Sequence, residues 1–372
     1  MLSLDNNTKA FLELVRAGLW EKEARLSQFG RVDYEEVMRL AEEQSVVGLV
    51  AAGIDGIKKL REDGFAIPIE IKLQFIGQSL QIEQRNQAMN RFISELVEKM
   101  REKGIYTLLV KGQGIAQCYE KPLWRSSGDV DLLLSNNNYE KAKEFLVPLS
   151  SFQKVEGRYS KHLGLNIYEH LREQAATDQR EPWYVELHGT LRTGLAARVD
   201  ELVDAVQTDV FLGGNVRSWQ NDGSTVFLPA PGNDAIFVFT HFLMHFYRED
   251  MTLRQICDWS RLLWTYRERI DVRLLEKRLR VAGLMSEWKA FGALAVEYLG
   301  MPKEAMPLYS SEKKWKKKGG RILNFLLKGY SGARLRDTLA IARIFPYKIL
   351  LYSPSIFLNV NWLKIKERIF KR

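Results

Sequence analysis

Arg125-Ser126-Ser127-Gly128-Asp129-Val130-Asp131-Leu132-Leu133-Leu134 is the stretch that decides the fold. Side chains at i and i+2 of a strand point to one face. Asp129 and Asp131 therefore project together, while Val130 and Leu132 turn to the opposite, core-facing side. Two carboxylates side by side repel, and the arrangement is costly without a cation between them. The run that follows is too apolar for an exposed edge. Hard oxygen ligands of this kind suit Mg²⁺, which takes one or two carboxylates plus substrate phosphates.

Working outward, Tyr184-Val185-Glu186-Leu187-His188 has the same alternation. Glu186 supplies a third acid able to face the pair. Three carboxylates hold two metal ions, or leave one acid to take a proton from an attacking hydroxyl. His188 shares the face of Glu186 and reads either as an accessory site residue or as a packed histidine. On the other side, Ile105 to Val110 is β-rich and runs into Lys111-Gly112-Gln113-Gly114, with a short helix expected through Ala116 and Tyr119. Glycines at such a turn let backbone N–H groups approach phosphates, and a helix N-terminus favours their charge.

A glycine turn after a first strand, then a hydrophobic-Asp-hydrophobic-Asp-hydrophobic strand, then a third acidic strand resembles the DNA polymerase β-type nucleotidyltransferase superfamily. Leu109-Val110-Lys111-Gly112, Tyr119, Pro122, Arg125, Gly128 to Leu134 and Glu186-Leu187-His188 resemble one bacterial branch of it, the uncharacterised nucleotidyltransferases. His241, His245 and Ile256-Cys257-Asp258 resemble that branch's helical region, and the resemblance spans roughly residues 80–300. It implies that Asp129, Asp131 and Glu186 are catalytic and bind metal, two Mg²⁺ ions in all, with Gly112 near the nucleotide phosphates. The nucleotide-binding candidates are Lys111, Gly112, Gln113, Arg125 and Gly128; Arg125 reads equally as a salt bridge bracing the acidic loop. Many members have Gly-Ser in the turn. Here Gln113 follows Gly112, and Lys111 is placed to contact phosphate as a point charge.

The rest of the chain surrounds this core with helices. Residues 7–104 read as helical, with Asp33 as an N-cap, an unbroken helix over 69–103 and Gly104 as its stop. Tyr139–Leu146 reads as a helix, and Phe152–Val155, Leu163–Tyr168 and Tyr184–His188 as strands. Gly213-Gly214-Asn215 and Asn221-Asp222-Gly223 look like hairpin turns between short strands. Helices are expected over Ala235–Tyr247, Leu253–Arg267, Val272–Val281 and Leu284–Leu299. His241 and His245 lie one turn apart, but no third ligand follows at zinc-protease spacing, so they read as a core pair. The fold class is α+β: a helical N-terminal region (1–104), a nucleotidyltransferase core (105–230), a helical bundle (231–310) and a basic helical tail (311–372).

Composition narrows the setting. At 46% hydrophobic and 27% charged, the 372 residues have the balance of a folded globular chain. Two cysteines, Cys118 and Cys257, read as buried apolar residues in a reducing compartment. No signal peptide is apparent, and Ile344 to Val360 is too broken by Pro346, Lys348 and Pro354 to span a membrane, so a cytoplasmic protein is expected. The net charge of +9 is local: from Ser310 onward there are 16 Lys/Arg against 3 Asp/Glu. Such a tail suits an anionic membrane surface, which would make the protein peripheral, or nucleic acid. The Lys313 to Lys318 run reads first as a solvated face.

The function expected is Mg²⁺-dependent transfer of a nucleoside monophosphate from an NTP to an acceptor hydroxyl. A regulatory nucleotide-binding protein on the same fold and a toxin-like transferase acting on RNA are the alternatives. The acceptor, whether small molecule, peptide, protein or RNA, is not specified by these residues.

Overall fold

The computed structural model describes residues 4–57, 67–155, 161–168, 182–248, 251–329 and 334–352. Four helices lead: α1 (Asn6–Trp20), α2 (Tyr34–Glu43), α3 (Val47–Gly56) and the long α4 (Ile69–Glu102). Asp33 caps α2 as its sequence suggests, accepting from the N–H groups of Glu35 and Glu36. Gly104, at φ 66°, ends α4 in the left-handed region that glycine enters without strain.

The central segment follows the order β1 (Leu108–Val110), α5 (Gly112–Ala116), β2 (Asp129–Leu133), α6 (Asn136–Leu146), β3 (Ser150–Val155), β4 (His162–Ile167) and β5 (Trp183–His188). The five strands form one mixed sheet in the order β1-β2-β5-β4-β3. Among the described residues only the β2/β5 pair is parallel. Leu109, Val130, Leu132, Leu163, Leu165, Val185 and Leu187 share one face. They pack with Phe92, Ile93, Leu96 and Met100 of α4 and with Tyr139, Ala142 and Leu146 of α6. The opposite face carries the acids, so the alternation in the sequence becomes a sheet with one dry side and one polar side.

Then come α7 (Ala197–Phe211) and a hairpin of β6 (Val216–Asn221) and β7 (Ser224–Pro229). This region corrects one expectation: Gly213-Gly214-Asn215 is not a hairpin turn but the exit from α7. Asn221-Asp222-Gly223 does make the β6–β7 turn, with Asp222 and Gly223 at positive φ. Helices α8 (Pro231–Arg248), α9 (Leu253–Thr265), α10 (Val272–Val281), α11 (Met285–Glu297), α12 (Lys313–Leu327), α13 (Arg334–Ile344) and α14 (Lys348–Tyr352) follow among the described residues. Their apolar faces share one buried cluster with α1, α2 and α3, centred on Phe239, Phe242, Trp259, Trp288 and Phe291. Helices α1 to α3 and those after the sheet thus close over its polar face together, while α4 covers the apolar face. The fold is α+β.

The lysine run lies on the outer side of α12, while Ile322, Leu323, Phe325 and Leu326 of the same helix are buried. Ile344, Phe345 and Ile349 are also core residues. The remainder of the aromatic and basic tail, residues 353–372, lies outside the described residues. Among the described residues no helix is long and apolar enough to cross a membrane. Cys118 and Cys257 are buried and unpaired with each other, and burial pushes the Cys118 thiol up to about 12.

Candidate active site

Strand register brings the acids together. In the parallel β2/β5 pair Asp131 stands directly beside Glu186, and Asp129 precedes Asp131 by two. All three side chains leave the same face, and one carboxylate oxygen from each lies within 4.8 Å of the others. Asp131 is buried and Glu186 and Asp129 are half-buried. The Asp131 carboxylate, together with burial, pushes the Asp129 pKa up, the direction expected of crowded acids.

Two kinds of cationic group answer part of this charge. Lys111 leaves the β1–α5 turn with φ 58°, a region rare for any side chain but glycine, and its Nζ lies 2.7 Å from Asp131 Oδ1. Burial alone would favour the neutral amine, yet Asp131, Asp129 and Glu186 outweigh it and raise its pKa. His188 Nε2 lies 2.8 Å from the same Oδ1 and 3.3 Å from Glu186 Oε2. His162, stacked on His188 with ring centres 4.4 Å apart, reaches Glu186 Oε2 at 3.2 Å. Burial opposes the His188 imidazolium, but its two carboxylate partners raise its pKa. For Glu186, burial is outweighed by His162, His188 and Lys111, which hold the carboxyl well below its usual range.

The other nucleotide-binding candidates divide. Gly112, at φ 38°, sits against β2, where an added Cβ would lie 3.6 Å from the Asp129 carbonyl oxygen. The side chain of Gln113 points away from the acids and donates to Asn86 Oδ1 on α4 at 2.8 Å. Gln113 can therefore face the site only through its backbone. Gly128 is exposed at the entry to β2. Arg125 is buried, and its guanidinium grips Asp258 of α9 through two bonds of 2.9 and 2.7 Å. Its remaining nitrogen donates to Ser126 O and Ser127 Oγ. The Tyr119 hydroxyl also donates to Asp258 Oδ1, at 2.8 Å.

His241 and His245 are not a core pair. They line a cavity of about 260 Å³ whose walls also include Lys111, Gly112, Asp129, Asp131 and Arg254. His241 Nε2 lies 3.4 Å from Lys111 Nζ and 3.0 Å from His245 Nε2. Burial and the Lys111 charge hold the His241 imidazole well below its ordinary range, in its neutral form. A long-range contact with the β1–α5 turn sets this role, and periodicity along α8 does not reveal it. Arg254, in the first turn of α9, is likewise unmarked in the sequence. Ser45, which borders the same cavity, is held at φ 55°.

The donor set fits a divalent cation: three carboxylates converge on one face, and their mutual repulsion is only partly relieved by Lys111 and His188. The family described as uncharacterised nucleotidyltransferase matches residues 30–300, which contain every element that builds this face. No curated protein and no solved structure matches the chain. The chain belongs to the uncharacterised nucleotidyltransferase family and is a transferase.

Proposed function

We propose that the protein transfers a nucleoside monophosphate from an NTP to an acceptor hydroxyl in a Mg²⁺-dependent reaction, with Asp129, Asp131 and Glu186 holding two ions. The register of Asp131 beside Glu186, with Asp129 on the same face, is the observation that carries this reading. A bound divalent cation would supply charge neutralisation and polarise phosphoryl oxygens. Lys111 and the backbone of the Gly112 turn face the phosphates. The acceptor oxygen bonds to the α-phosphorus, the bond to the β-phosphate bridging oxygen breaks, and pyrophosphate leaves. The hydroxyl proton passes to a base in the cavity. Glu186, held well below its usual pKa by its histidine partners, suits ligation better than proton abstraction.

Catalysis on this reading is positioning and electrostatic stabilisation. Loss of NTP turnover in Asp129→Ala/Asp131→Ala, with the variant still folded, is the expected result; turnover that survives overturns the assignment. Gln113 favours one second reading. Glutamine has no hydroxyl and its amide is committed to Asn86, so this position of the turn offers no side-chain donor to a phosphate, which suits a protein that binds nucleotide without turning it over. Metal-dependent NTP affinity without pyrophosphate release in any acceptor screen would select that reading.

A further inference from the structure

The cavity beside the acids is too small for a whole nucleotide. At about 260 Å³ it falls below the roughly 300–1,000 Å³ of typical ligand sites. A second cavity of about 750 Å³ adjoins it, walled by α1, α3 and the segment around Trp124. Ser45, Arg125 and Arg254 border both cavities. The two arginines at this junction differ. Arg125 is fully engaged by Asp258, Ser126 and Ser127. Among the described residues the Arg254 side chain makes one hydrogen bond, from Nη1 to Ser126 O at 2.7 Å, and its buried Nε has no partner. No ion pair to Arg254 exists among the described residues. An unpartnered buried guanidinium donor is costly, and a phosphate is the ligand chemistry that satisfies it in a planar fork.

Resting on the function proposed above, we infer that Arg254 grips the phosphate chain of the donor nucleotide and that the larger cavity receives its nucleoside. The phosphate chain then runs from Lys111 and the acids past Arg254. The base and sugar meet a wall that offers the Trp124 indole with Glu21 and Lys22. Arg125, by contrast, stays on Asp258 and touches no ligand.

Calorimetric titration of inorganic tripolyphosphate and of ATP, each with Mg²⁺, tests this on the full chain. Arg254→Gln should weaken both ligands about 10- to 100-fold, the worth of hydrogen bonds to a charged group. Arg254→Lys, which keeps the charge and loses the fork, should weaken both by less. Ala52→Trp, with Ala52→Leu as the milder filling, intrudes only on the larger cavity and should weaken ATP while leaving tripolyphosphate unchanged. Wild-type affinity for tripolyphosphate in folded Arg254→Gln and Arg254→Lys overturns the clamp. Unchanged ATP affinity in both Ala52 variants overturns the nucleoside assignment and leaves that cavity to the acceptor. Binding that is as tight as wild type in Arg254→Gln but disappears in Asp129→Asn/Asp131→Asn defeats this inference alone. Wild-type protein that binds neither ligand defeats the proposed function with it.

Discussion

Two buried charge clusters lie within one cavity wall and are built on opposite terms. Around Arg125 every charge is matched: the guanidinium meets Asp258 through two bonds, Tyr119 supplies a third, and Ser126 and Ser127 take the remaining donors. Around Asp131 the sum is left open. Asp129, Asp131 and Glu186 face Lys111 and His188, and the pKa of Asp129 is raised by its acidic neighbour. A closed network fixes helix α9 against the β1–β2 connection. An open one keeps a repulsion that a bound cation would relieve, the feature on which the proposed function rests.

The largest consequence is opposite behaviour on mutation. Asp129→Asn should lower transfer by on the order of 10³-fold while leaving the metal-free protein at least as stable as wild type. The sign follows from the direction at Asp129: a carboxyl whose folded pKa is raised is worth more to the fold when uncharged, and the amide is permanently uncharged. Pyrophosphate release and thermal unfolding of one preparation read both effects. An Asp129→Asn variant that is inactive only because it is unfolded erases the contrast. At the closed cluster, Asp258→Ala strands a buried guanidinium and should cost about 3–5 kcal/mol. Unchanged stability in urea unfolding would show that Arg125 is held by something other than Asp258.

The open cluster was legible because its signal is local. Strand period two places Asp129 and Asp131 on one face, and the same alternation places Glu186 there. The closed cluster was not, because Arg125 and Asp258 are separated by 133 positions and meet only through the packing of α9. The same holds for His241 and His245: an i, i+4 pair on an apolar helix reads as core until Lys111 is found beside it. Helix α7 has ends that carry no local marker. Its N-cap, Ala196, makes no side-chain capping bond, and the glycines that end it resemble a hairpin turn. Within β1 the sequence suggests six residues, yet only Leu108–Val110 pair, since β2 offers them partners over Leu133 to Asp131 alone.

Smaller effects sharpen the comparison. Mg²⁺ should raise the melting temperature of the wild type by on the order of 1–2 °C per kcal/mol of stabilisation and leave Asp129→Asn/Asp131→Asn unmoved. Equal shifts in both proteins would place the cation elsewhere. Gln113→Ala should cost about 1–3 kcal/mol by stripping Asn86 Oδ1 of its buried donor, with NTP affinity unchanged. A drop in affinity without loss of stability would instead return Gln113 to the nucleotide.

The central claim is that the open cluster is a nucleotide–metal site, and NTP binding measured by calorimetry with and without Mg²⁺ tests it most directly. The wild type should bind an NTP only with the cation present, and Asp129→Asn/Asp131→Asn should not bind it under either condition. Binding by the folded double variant that matches the wild type, or no binding of any NTP by the folded wild type, would contradict the account.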